Sequence, residues 1–351
     1  MEGTEGLATP RDDGTNRLLP SLVGGAATVI ILVGVHFIAS IVTIAALSIL
    51  ATVLLRPVQR TLVQRGTGTG LALAASVGLY VVVIVVFGFL AVVGVTGFVR
   101  DLPIREQEMG DALQGVSDAI GGAGGPPILD ATAIADFAQS AAMALVSGLT
   151  LVAYSVVVTA YLLLEAPRGE RRLEAAFGET TQAVDRGAAL AARLRAYVVA
   201  RAVLGGLAAV LDVALLVVLG VPSALLWGVL AFLFSFVPSI GFILSLIPPA
   251  VLALLEGGPG LALAVVIGYS IINVVIDYLV QPRFVGSSVD LAPVVITLSL
   301  LFWAIVLGPA GALLAVPLTI VVAALADASS DTRPLARMLG QAPLDPVAPT
   351  D

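Results

Sequence analysis

Long uncharged apolar runs, separated by short clusters of Arg, Asp and Glu, are the dominant pattern along this chain. A charge deep in hydrocarbon is costly, and a helix needs about 20 apolar residues to cross a core of about 30 Å, so each charge-free interval can be measured in crossings. Between Arg17 and Arg56 the only ionisable side chain is His36, and the interval accommodates two helices that turn near Gly34 to His36. Arg65 to Arg100 brackets one long or tilted helix, and Asp136 to Glu165 brackets another. Beyond Arg201, Asp212 is the only charge before Glu256, and Gly220-Val221-Pro222 closes a helix over residues 199–219. Residues 225–237 and 241–255 are two apolar legs on either side of Val237-Pro238-Ser239-Ile240-Gly241, each short for a full crossing and of re-entrant length. Residues 261–280 supply a further helix, and Gly308-Pro309-Ala310-Gly311 interrupts the last apolar run, 291–326. The predicted fold is therefore all-α, a polytopic membrane protein with about 8 transmembrane segments, two of them broken or re-entrant helical hairpins.

This pattern divides the chain into a disordered cytoplasmic tail (1–17), N-terminal transmembrane helices (18–99) and an extracytoplasmic segment (100–139). A transmembrane helix with a cytoplasmic amphipathic helix (140–198), a transport core of two helix-plus-hairpin units (199–327) and a second disordered cytoplasmic tail (328–351) follow. Arginine placement supplies the orientation, because cytoplasmic loops carry the excess of basic residues. Arg56, Arg60 and Arg65 crowd one loop, and Arg168, Arg171, Arg172, Arg186, Arg193 and Arg195 crowd another, whereas residues 100–136 are acidic. Two crossings before Arg56, one to Arg100 and one back to Glu165 satisfy all three assignments. Continued onward, the hairpin at Pro238 enters from outside and the one at Pro309 from the cytoplasm. Helix followed by broken hairpin thus occurs twice in opposite orientations, an inverted repeat of the kind that places a transport site near the midplane. The plainer alternative is that the Pro and Gly residues turn ordinary tight hairpins.

Composition narrows the chemistry. The chain has 351 residues, 59% hydrophobic and 12% charged, with 17 basic residues, every one Arg, against 24 acidic ones and a net charge of −7. A basic nucleic-acid footprint is absent. With no Cys and one His, thiolate chemistry, disulfides and multi-histidine metal cages are excluded, and no H-E-x-x-H occurs. Neither an enzyme activity, a cofactor nor a metal is expected.

Few polar groups remain inside the spans. Asp212 lies in the outer half of its helix, where an intramembrane acid couples protons if it faces a cavity and is packing glue if it faces a neighbour. Asp277 lies at the cytoplasmic end of its helix just before Gln281, Pro282 and Arg283, so that carboxylate and guanidinium make either a gate pair or a surface salt bridge. Ser270, Asn273 and Gln281 offer neutral hydrogen-bonding groups nearby, to a solute or to a neighbouring helix. Helix ends at Pro238, Ser239 and Gly241, and at Pro309 and Gly311, expose backbone groups that can meet a polar solute or ion. Ser288 and Asp290 read as caps of the next helix.

Tyr197 leading into a Gly-rich helix, Gly220-Val221-Pro222, Phe236-Val237-Pro238-Ser239-Ile240-Gly241, Ile247-Pro248-Pro249-Ala250, Asp277-Tyr278-Leu279-Val280-Gln281-Pro282-Arg283-Phe284-Val285-Gly286, Leu291-Ala292-Pro293 and Ala315-Val316-Pro317-Leu318 follow one another in order. In these motifs the chain resembles the autoinducer-2 exporter (AI-2E) family of bacterial transporters. The specific motifs lie in the C-terminal half, and the N-terminal half agrees in layout. The resemblance implies a multi-pass inner-membrane protein with cytoplasmic termini that moves a small polar solute and forms a homo-oligomer, with a pentamer as one candidate. It also implies candidate site positions from Asp277 through Gly286, and a choice between export of an autoinducer-2-like solute and sodium or lithium exchange for protons. Asp277 stands where many relatives carry an amide, and Asp212 where small or hydroxyl residues are more usual. The lipid bilayer, a small polar solute or a monovalent cation or proton, and further copies of the chain are the expected partners. A non-transporting oligomeric scaffold is the third reading, and it leaves the inverted breaks without a purpose.

Overall fold

A computed structural model describes residues 34, 37–119, 131–177, 182–238, 240–281, 292–327 and 332. Helices account for nearly all of them: α1 (Ala39–Gln64), α2 (Thr69–Ala119), α3 (Ala131–Phe177), α4 (Gln182–Leu219), α5 (Ala224–Phe234), α6 (Gly241–Val274), α7 (Pro293–Leu307) and α8 (Pro309–Asp327). A π-helical stretch, Val275–Val280, continues α6. Six described segments are long and apolar enough to cross a membrane, and two shorter apolar helices, Ala224–Phe234 and Val294–Leu307, accompany them. Among the described residues there is no strand. The first predicted crossing, the turn at His36 and most of both predicted tails lie outside the described residues.

Several boundaries differ from the sequence reading. α2 does not stop near Arg100 but runs on to Ala119, and α3 begins at Ala131, so much of the predicted extracytoplasmic segment is helix continuous with the spans. At 1.5 Å per residue α2 is about 76 Å long, far more than the hydrocarbon requires. The predicted amphipathic helix before residue 199 and the span after it are likewise one helix, α4. Charge marks where a helix leaves lipid. It does not end the helix, because Arg, Glu and Ala are all good helix formers.

Three helices form a polar-seamed frame. Tyr80 of α2 and Ser155 of α3 join hydroxyls at 2.9 Å, and Ser48 of α1 lies 3.2 Å from the Ser155 carbonyl while donating at 2.6 Å to its own Ile44 carbonyl. Small hydroxyl residues let the helix backbones approach and keep every polar group bonded inside an apolar medium. At one end of this frame Leu55 of α1 packs with Leu163 of α3. There Arg195 of α4 donates at 3.3 Å to the Val53 carbonyl of α1, and Glu165 pairs with Arg168 and Arg172 at 3.2 Å each. Both Arg clusters singled out in the sequence therefore lie at the same end of the bundle.

Glycine lets the second half pack closely on itself. A Cβ on Gly205 of α4 would run into the Ser235 side chain, one on Gly228 of α5 into Val213, and one on Gly268 of α6 into Leu215, so α4 packs closely against α5 and the second half of α6. Phe232 of α5 stacks on Phe87 of α2 at 4.7 Å and meets Phe236 edge-on at 5.6 Å. Gly258, with φ 72° and ψ −169°, divides α6 into residues 241–257 and 259–274, and Gly308, with φ 72° and ψ −156°, divides α7 from α8. Only glycine adopts this conformation cheaply, and Pro259 and Pro309 start the following helices with the fixed φ that a first turn prefers.

Candidate functional site

Two broken units face each other. In the first, α5 ends at Phe234 and α6 starts at Gly241, with Val237 N–H donating at 2.8 Å to Phe234 O and Gly241 N–H at 3.0 Å to Val237 O. Gly241 has room for no Cβ against the Phe234 carbonyl. In the second, Gly311 meets the Trp303 carbonyl just as closely, and Trp303 Nε1 donates at 3.1 Å to Thr319 Oγ1, which clamps α7 to α8. Val237, at the turn of the first unit, is buried against Leu300 and Ala315, with Trp303, Ala312 and Leu313 around them. The contact residues lie on both arms of the second unit and flank its Gly308 turn. The turn of the first unit thus packs against the arms of the second, about two helical turns from Gly308.

Two further groups of polar side chains concern α4 and α6. Asp212 of α4 is 2% exposed and its Oδ1 has no hydrogen-bond partner; Tyr269 of α6 is 0% exposed and its hydroxyl also lacks one. The carboxylate lies within electrostatic range of that hydroxyl. Towards the Arg-rich end, Arg201 of α4 interacts electrostatically with Asp277 in the π-helical stretch and with Tyr197 one turn back on α4. Tyr197 itself is buried among Leu194 and the α8 residues Val316 and Ile320. A π-helical stretch widens the turn and is found most often at functional sites, and here it carries Asp277.

Comparison with known proteins fits this architecture. A family model described as AI-2E family transporter matches residues 26–331. The chain belongs to the AI-2E transporter family. It is 30% identical over 336 residues to a putative transport protein of Haemophilus influenzae, covering 91% of this chain and 96% of that one. It is 27% identical over 355 residues to the putative transport protein YhhT of Escherichia coli, covering 95% and 97%. A shorter match, 45% identical over 109 residues, joins it to the AI-2 transport protein TqsA of Escherichia coli, covering 31% of this chain and 32% of the relative. The protein is thus a multi-pass membrane protein of a transport family.

Placed in this AI-2E structure, the candidate residues from the sequence separate into groups. Pro238 lies at the turn of the first unit and Pro309 opens α8 in the second, while Gly241 and Gly311 each serve close packing within their own unit. The backbone groups expected to be free there are partly engaged, since Gly241 N–H bonds to Val237 O and Gly311 N–H bonds at 2.9 Å to Gly308 O. Asn273 Nδ2 donates at 3.0 Å to Tyr269 O and Ser270 Oγ at 2.7 Å to Val266 O, so both spend their donors within their own helix. Gln281 is half-buried at the end of the π-helical stretch. Ser239, Pro282, Arg283 and Gly286, with Ser288 and Asp290, lie outside the described residues. Sequence reasoning paired Asp277 with Arg283, took Tyr197 only as a family motif, and passed over Arg201 and Tyr269 as site residues. The repeat of Arg193, Tyr197 and Arg201 at four-residue spacing, which puts all three on one helix face, was the signal for Tyr197 and Arg201. Tyr269 in an apolar run carried none.

Proposed function

We propose that this AI-2E protein is a secondary transporter that exports a small polar solute of the AI-2 kind by alternating access. It works as a homo-oligomer in the inner membrane with both termini in the cytoplasm. The observation that carries the reading is the burial of Val237, at one broken turn, between the two arms of the other broken hairpin.

Helix α4 serves as a ruler for the first hairpin. Ser235 abuts Gly205, which lies about 21 Å along α4 from its end at Leu219, against a core of about 30 Å. That supports a hairpin that stops short of the opposite face, with Arg201 about one turn further on. Leu300 and Ala315 each lie about two turns from Gly308, which supports a second hairpin that overlaps the first and also stops short. Two re-entrant units of opposite entry then close the path at their overlap, and a small displacement of one past the other opens it to one side or the other. The substrate class rests on the likeness to TqsA, whose name specifies AI-2.

A cross-link tests the reading directly. With Val237→Cys and Ala315→Cys in the Cys-free chain, oxidation should lock the overlap and stop efflux of AI-2 from reconstituted vesicles, and reduction should restore it. Undiminished efflux from fully cross-linked protein would refute gating at this contact, and absence of AI-2 efflux from the unmodified protein would refute the substrate class.

A further inference from the structure

Asp212 and Tyr269 are not used by the hairpin contact, yet they are among the few buried polar groups of the described fold that leave an atom without a partner. Both are at least nine-tenths buried and each leaves an oxygen without a partner. Their helices are held together on either side of the pair. Leu215 of α4 touches Gly268 of α6, and Leu216 and Tyr269 share an apolar cluster with Leu226, Trp227 and Leu230 of α5. Resting on the transport reading above, we infer that Asp212 and Tyr269 form the buried proton-binding site through which solute movement is coupled to protons.

The chemistry favours a proton over other occupants. An isolated carboxylate in an apolar interior costs several kcal/mol, and it is relieved by a counter-charge, a coordinated cation or a proton. Among the described residues no ion pair to it is found. α5 has no ionisable side chain, and α6 offers Tyr269, with Glu256 thirteen residues earlier on the far side of the Gly258 break. On α4 itself the nearest charge is Arg201, about 16 Å away along the helix and directed to Asp277 and Tyr197. A metal cation prefers six or more oxygens, whereas this site has one carboxylate and one hydroxyl, and no cluster of three metal-ligating side chains exists among the described residues. A single proton converts the carboxylate into a neutral acid with one O–H donor and one C=O acceptor, the complement of what the Tyr269 hydroxyl offers. Loss of that proton leaves a charge that must be hydrated. Because the cluster around Tyr269 also holds Leu226, Trp227 and Leu230 of α5 and Leu252 and Ala253 of the first half of α6, the two arms of the first hairpin, hydration here loosens α4 from the unit whose turn meets Leu300 and Ala315. Proton binding therefore acts on the same moving part as the gate.

Two measurements on the full protein in phospholipid vesicles test the site, and they fail separately. Infrared difference spectra should show the carbonyl stretch of a protonated carboxylic acid at neutral pH, lost in Asp212→Asn and shifted in Tyr269→Phe. A spectrum identical in wild type and Asp212→Asn overturns the proton site whatever the flux. AI-2 efflux from the same vesicles should accelerate under an imposed pH gradient in wild type and lose that response in Asp212→Asn; an unchanged response in the variant overturns the coupling. No AI-2 efflux from wild type under either condition sinks the transport reading and the coupling with it, while the infrared result still decides the proton site.

Discussion

At the scale of single residues, function and packing compete for the same few small or polar side chains. Gly311 looked like a helix end open to a solute, but its Cα faces the Trp303 carbonyl, and the arms close over it with the Trp303 to Thr319 hydrogen bond. Gly311→Ala therefore forces the arms apart and should destabilise the protein by about 2 kcal/mol, read as a lowered midpoint of thermal unfolding in detergent. Thr319→Val, which removes the hydrogen bond without adding bulk, should cost only about 0.6 kcal/mol, a typical value for such bonds between membrane helices. Equal losses in the two variants would mean that the close approach at Gly311 is not what holds the hairpin. Asp212 and Asp277 part company at this scale as well. Asp277 is exposed and faces an arginine, while Asp212 is sealed in and faces a phenol.

Among the elements, the breaks do more than turn the chain. Gly258-Pro259 and Gly308-Pro309 are built alike, a glycine in a region closed to other residues followed by a proline that opens the next helix. Ala at position 258 or 308 should each cost about 1–3 kcal/mol, since a Cβ strains that backbone even though open space surrounds both sites. Full retention of stability in denaturant unfolding of both variants would show that the breaks relax easily. The turn at residues 235–240 is of another kind. It is tied by successive short-range backbone bonds and ends on Gly241 because the Phe234 carbonyl leaves no space. Breaker residues in the sequence located all three interruptions. They did not say that one is a compact bonded turn and the other two are glycine hinges, because composition does not report how tightly neighbouring arms approach.

For the whole molecule, the topology makes a prediction that the absence of cysteine renders clean. Single cysteines at Gln64 and Pro259, both exposed, should react oppositely with a membrane-impermeant thiol reagent added to intact cells: Pro259→Cys labelled, Gln64→Cys protected. The opposite pattern would invert the molecule, and labelling of both would break the helix count between them. The amino-acid sequence by itself determined the class of protein, the positions of most spans and the places where helices break. These follow from one-dimensional quantities, the length of apolar chain needed to cross hydrocarbon and the backbone limits of Gly and Pro. Its helix boundaries were less well determined, since α2 and α4 carry helix through charged segments that mark only the edge of the lipid. The tertiary structure alone decided which residues come near one another: Val237 packs with Leu300 and Ala315, while Asp212 comes within electrostatic range of Tyr269 and Asp277 of Arg201. In a chain whose spanning helices are apolar on every side, lipid-facing and protein-facing positions are chemically alike, so periodicity cannot distinguish them. Only the packing of the helices against one another selects the partners.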